Sequence, residues 1–224
     1  MATYKPRFKE VYVKANEFLV ASHSILTFPF STIKFVKELA DISFCSFEKA
    51  RSMGLEPMNF GSDSAFLTRQ NGKHIIFFNQ NNIKPRIQFS ILHELGHFIF
   101  EHDYDTKDEK LYGVQEVETN YFAAQLLMPE QILRELTKRE VYVDSQFLMK
   151  YFSVSSEAAN KRINTLDKIK DFNKSKEEVA YDDLILMKYQ GFVDSIKKPI
   201  ISFDDELALE EERQKWLYSY TKYF

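Results

Sequence analysis

The stretch from Arg86 to Phe100 constrains this chain more than any other. It follows Pro85, and Ile91, Leu92, Leu95, Phe98 and Ile99 put apolar side chains on nearly every side of a helix. Such a helix has to be enclosed by other elements, and polar groups on a buried helix need partners. Residues 93–97 nevertheless read His-Glu-Leu-Gly-His. Histidines at i and i+4 lie on one face, one turn apart, close enough for both imidazoles to hold a single metal ion. Glu94 points beside that ion. There a carboxylate can take a proton from a water whose pKa zinc has brought down to about 7. Gly96 costs roughly 1 kcal/mol against alanine in mid-helix, which predicts a close backbone approach by another element.

A catalytic zinc wants three protein ligands and an open fourth position. His93 and His97 supply two. Of the other histidines, His102 reads as a solvated loop residue just past the helix, while His74 and His23 read as structural. The stronger candidates for the third place are Glu116 and Glu118, about twenty residues downstream on the next predicted helix. Two positions apart, they point to different sides. Glu116 is preferred because Asn120 follows it one turn along the same face, where its amide can hydrogen-bond a ligating histidine; Glu118 is held in reserve.

Around this centre the chain predicts helices over 5–22 and 31–39, a strand at 42–47, and a hairpin of 64–68 with 74–79 turning on Asn71-Gly72. A helix follows over 114–128, stopped by Pro129, then helices over 130–139 and 144–170. The tail from 171 is charged, with an amphipathic final helix around 206–220. The order is helices, a small sheet, then helices, which makes the fold class α+β. Four parts are expected: an N-terminal helical segment (1–34), a catalytic body (35–140), a small helical module (141–170) and a helical tail (171–224).

The paired segments carry a resemblance. His93-Glu94-Leu95-Gly96-His97, followed by residues 116–129 reading Glu-Val-Glu-Thr-Asn-Tyr-Phe-Ala-Ala-Gln-Leu-Leu-Met-Pro, resembles the ImmA/IrrE family of metallo-endopeptidases. Residues 151–162 resemble that family's small helical module, and the likeness extends over roughly 35–166. One departure is Thr119, where the family usually has alanine, a position expected to stand apart from the chemistry. The resemblance implies a zincin-like catalytic domain with Zn2+ held by His93, His97 and Glu116, and Glu94 as base and then acid. It implies a protein substrate too: a helix-turn-helix transcriptional repressor, whose cleavage would switch genes on.

Composition narrows the alternatives. A formal net charge of −3 gives no global basic field to attract nucleic acid or an anionic membrane. No apolar run is long enough to span a bilayer. One cysteine, Cys45, excludes an internal disulfide, and with a polar N-terminus this leads to the expectation of a cytoplasmic protein. Residues 148–166 also suit a helix-turn-helix, but only Lys161 and Arg162 are basic on its second helix, so DNA binding by the chain itself is not expected. The rival to an enzyme is a non-proteolytic regulator that binds a repressor or DNA and uses zinc structurally. The oxyanion donor stays open between Tyr112 and Tyr121.

Overall fold

The computed structural model describes residues 4–57, 62–103, 106–168 and 174–197. The chain opens with α1 (Phe8–Ala21) and α2 (Thr32–Leu39), whose cap Ser31 accepts from the Lys34 N–H. Next come β1 (Ile42–Ser46), a short α3 (Phe47–Ser52), β2 (Ala65–Gln70) and β3 (Lys73–Phe78). Asn71 (φ 50°) and Gly72 (φ 80°) turn the β2–β3 hairpin with both residues left-handed, the backbone that the Asn-Gly pair is suited to.

The three strands lie in the order β1-β3-β2. β1 runs parallel to β3, with Ile42 opposite His74, and β2 runs antiparallel to β3, with Leu67 opposite Ile76. One face rests on the main core through Leu67 and Ile76. The other closes over a second small core of Cys45, Phe47, Ala50, Phe66 and Phe77. Cys45 is thereby buried, as its strand position predicts. β2 is an edge strand of this sheet.

The helix carrying the histidines, α4 (Lys84–Ile99), has Pro85 in its first turn, where a missing N–H is no loss. It packs along α5 (Glu109–Leu127) and against β2. The second helix begins five residues before the predicted start at 114, because Asp108 caps it, accepting from the N–H groups of Lys110 and Leu111. At the α4–α5 crossing a Cβ on Gly96 would lie 3.1 Å from Thr119 Cγ2 and 3.3 Å from Thr119 Cα. The close approach expected at this glycine is made by α5.

After Pro129 come α6 (Glu130–Lys138), α7 (Ser145–Phe152) and α8 (Ser156–Lys168). The stretch predicted as helical over 144–170 is two helices, divided at Ser153, which is left-handed at φ 53°. Ser155 accepts from the Ala158 N–H and so caps the start of α8. Arg162 anchors α8. It is 1% exposed, its Nε donates to the Met128 carbonyl and its Nη2 to Gln125 Oε1.

The charged tail contributes α9 (Lys176–Lys188) and α10 (Gln190–Ser195) to the body. Asp182 accepts from Tyr12 and Gln131, and the buried Tyr189 hydroxyl donates to the Leu19 carbonyl. The final helix predicted around 206–220 lies outside the described residues. Among the described residues, no helix is long and apolar enough to cross a membrane.

Candidate metal centre

Three side chains from two helices converge. His97 Nε2 lies 3.1 Å from His93 Nε2 and 3.2 Å from Glu116 Oε1, and His93 Nε2 is 3.5 Å from Glu116 Oε2. One ligand atom from each falls within 4.8 Å of the others, a cluster able to hold a single ion. The donor set fits a catalytic zinc: two imidazole nitrogens and a carboxylate oxygen, one short of tetrahedral. Two ring nitrogens facing each other at 3.1 Å share at most one proton between them, an arrangement that a common cation satisfies. Burial tends to raise the Glu116 pKa, but the contacts with His93 and His97 outweigh it and hold the carboxyl far below its ordinary value.

Two neighbours of Glu116 on α5 also reach His93. Asn120 Oδ1 stands 3.3 Å from His93 Nδ1, one turn beyond Glu116. Thr119, expected to stand apart from the chemistry, instead brings its Oγ1 to 3.4 Å from His93 Nε2 while bonded to the Gln115 and Glu116 carbonyls. The short threonine side chain reaches the histidine because Gly96 lets the two helices close together.

Glu94 is buried between α4 and the sheet, and its Oε2 accepts from the Leu67 N–H of β2 at 2.9 Å. Burial pushes its carboxyl up to about 7, against the opposing pull of His93 and the Leu67 N–H. A carboxylate so tuned exchanges protons near neutral pH. Of the two tyrosines left open, Tyr112 lies one turn before Glu116 on α5. Its phenol pKa is raised by burial and by the nearby Glu116 and Glu94 carboxylates. Tyr121 instead packs edge-on against Phe8, away from this cluster, where burial moves it up to about 12.

Two glutamates and two histidines separate cleanly by role. Glu118, the reserve ligand, is 1% exposed and does not join the cluster; it pairs with Arg7 at 2.8 Å and with His102 at 3.0 Å. His102 is not the solvated loop residue its position predicts. It is 5% exposed, and its Nδ1 lies 3.0 Å from His97 Nδ1. The cause is the way α4 ends. Glu101 turns left-handed at φ 51°, its N–H bonds the Phe98 carbonyl, and the His102 N–H bonds the His97 carbonyl. That six-to-one closure brings the residue after the turn back over the last helical turn. Without a glycine at 101, no local signal marks it. His74 packs its ring against Phe98, and His23 donates its backbone N–H to Glu38; both lie outside the cluster.

An α+β body whose enclosed helix carries paired histidines, with a glutamate from the next helix completing the set and a small sheet alongside, is a zincin-like metallopeptidase fold. The family comparison agrees: residues 55–164 match the peptidase family described as the IrrE N-terminal-like domain. The match lies inside the 35–166 stretch that carried the resemblance, and takes in β2, β3 and both helices of the cluster. No curated protein matches the chain.

Proposed function

We propose that the protein is a zinc-dependent endopeptidase acting on a specific protein substrate. The observation that carries this is the convergence of His93 Nε2, His97 Nε2 and Glu116 beside a buried Glu94. A divalent metal held by those three residues would supply Lewis acidity and an activated water at neutral pH. Glu94 takes the proton of the attacking water and later delivers it to the leaving amine. Its tie to the Leu67 N–H fixes it against the edge strand β2, along which an extended substrate chain can pair main chain to main chain. Tyr112 is the phenol positioned to donate to the oxyanion that forms at the scissile carbonyl.

The substrate class follows from the family resemblance: a helix-turn-helix transcriptional repressor, whose removal would derepress phage, mobile-element or stress genes in the cytoplasm. Direct DNA recognition by the chain is disfavoured by its own helix-turn-helix-like module. Arg162 is committed to Met128 and Gln125, and Lys161 pairs with Glu157, so α8 presents little free positive charge. The test is co-expression with candidate helix-turn-helix regulators, any encoded beside the gene first, following both chains by mass spectrometry. Site-specific fragments that disappear on chelation support the reading. An intact regulator held in a stable complex with the active chain points instead to masking without cleavage.

A further inference from the structure

Arg7, His102 and Glu118 lie outside the catalytic set, yet they form an unbroken line of polar contacts ending on one of its ligands. Glu118 is clamped from the N-terminal segment. The Arg7 backbone N–H donates to Oε1 at 2.7 Å, Nε donates to Oε1 at 3.1 Å, and Nη2 donates to Oε2 at 2.8 Å. Arg7 Nη2 also lies 3.3 Å from His102 Nε2, so the two nitrogens converge on the same Oε2. Arg7 Cζ lies over the Phe100 ring, 5.5 Å from its centroid, and Phe100 stacks on His102 at 5.8 Å.

The direction of every proton in this line follows from its two ends. Arginine only donates, so Glu118 only accepts. His102 Nε2 must then carry its proton toward Oε2, which leaves His102 Nδ1 as an acceptor. Facing it at 3.0 Å, His97 Nδ1 must donate. Neutral imidazole holds one proton, so His97 Nε2 is left bare, and Nε2 is the nitrogen aimed at His93 and Glu116. Partners on the far nitrogen of a ligating histidine fix both its tautomer and its ring orientation.

We infer that Arg7, Glu118 and His102 form a positioning relay that locks His97 in the Nδ1–H tautomer and presents Nε2 to the metal, making the segment before α1 a working part of the metal centre. This rests on His93, His97 and Glu116 holding the ion. The relay runs through residues 111 apart in sequence, so the centre is complete only when the N-terminal segment has docked on α5.

The experiment uses the full chain in two states. In the metal-free protein, long-range 15N–1H NMR reads the His97 tautomer directly. Wild type should show Nδ1–H, whereas His102→Phe, which keeps a ring over Phe100 but no nitrogen, should show mainly Nε2–H. Arg7→Met breaks the far end without touching a histidine and should give a mixture. Zinc affinity, measured against a chromogenic chelator, should fall about 10- to 100-fold in His102→Phe and by a smaller factor in Arg7→Met. His102→Gln, whose amide can accept from His97 and donate to Glu118, should recover part of the loss. Wild-type His97 in the Nε2–H form, or variants that bind zinc as tightly as wild type, would overturn the relay. A wild-type chain that takes up no zinc would overturn the metal site beneath it, and that result is distinct from equal binding by all variants.

Discussion

Gly96 and Thr119 mark the point where α4 and α5 touch: a Cβ on Gly96 would stand 3.1 Å from Thr119 Cγ2 and 3.3 Å from its Cα. The second of these contacts is backbone, so a methyl group there cannot be accommodated by a side-chain rotation. The helices themselves must part. Glu116 and Asn120 flank Thr119 on α5, so any displacement is passed to the ligand and to the amide behind His93.

Gly96→Ala should therefore cost more in metal binding than in stability. Alanine gains about 1 kcal/mol in helix propensity, and overpacking a tight core contact costs about 1–3 kcal/mol. The net loss on thermal or denaturant unfolding should be about 0–2 kcal/mol. Zinc affinity should fall on the order of tenfold, as when a group supporting a ligand is misplaced. Unchanged zinc affinity would mean that α5 need not hold its distance from α4.

Glu116→Ala and Glu118→Ala should separate a ligand from its support. Removing Glu116 leaves two imidazoles, an incomplete site, and purified protein should carry little zinc by elemental analysis. Removing Glu118 leaves the three ligands and takes away the acceptor of Arg7 and His102. That variant should retain zinc at high metal concentration with affinity lowered about 10- to 100-fold. The reverse order would reassign the ligand.

Glu94 gives a pH-dependent prediction for the metal-free chain. Burial raises its carboxyl from an ordinary 4.5 to about 7 in the folded protein. A raised folded value means the native state favours the protonated form. Its contribution is fully present below about pH 4.5 and is lost as pH rises through 7. Glu94→Gln, which carries no charge, should escape that loss. After chelation it should be more stable than wild type at pH 8, by up to about 3 kcal/mol, with the difference closing toward pH 4.5. Melting curves of both chelated proteins across that range measure it.

The parts of the site that repeat locally were legible in the sequence. Helical spacing placed His93 and His97 on one face, Gly96 announced a close neighbour, and Asn120 one turn after Glu116 pointed at the histidine it meets. The Asn71-Gly72 turn and the Asp108 cap are likewise local chemistry, and that cap starts α5 ahead of its apolar pattern. What stayed hidden depends on distance along the chain or on an unmarked backbone. Arg7 finds Glu118 across 111 residues, a pairing no short pattern encodes. His102 is folded under His97 by a left-handed Glu101, a conformation that sequence announces only when glycine or asparagine occupies it. The choice between Tyr112 and Tyr121 required knowing which side of α5 faces the cluster, because helix α5 is apolar or buried on more than one side. The role of α9 and α10 is obscured by a charged composition that conceals Asp182 and Tyr189, which are among the residues bonding this part to α1.

The central claim is that Glu94 moves the proton in metal-assisted peptide hydrolysis. The most direct test is the initial rate at which the purified, zinc-loaded chain cuts a helix-turn-helix regulator found to be its substrate, compared between wild type and Glu94→Gln at equal zinc content. Glutamine keeps the shape and can still accept from the Leu67 N–H, but it cannot take up the proton of the water. The account predicts a rate lower by roughly 10² to 10⁴-fold with zinc content unchanged. Cleavage by Glu94→Gln at the wild-type rate would contradict it.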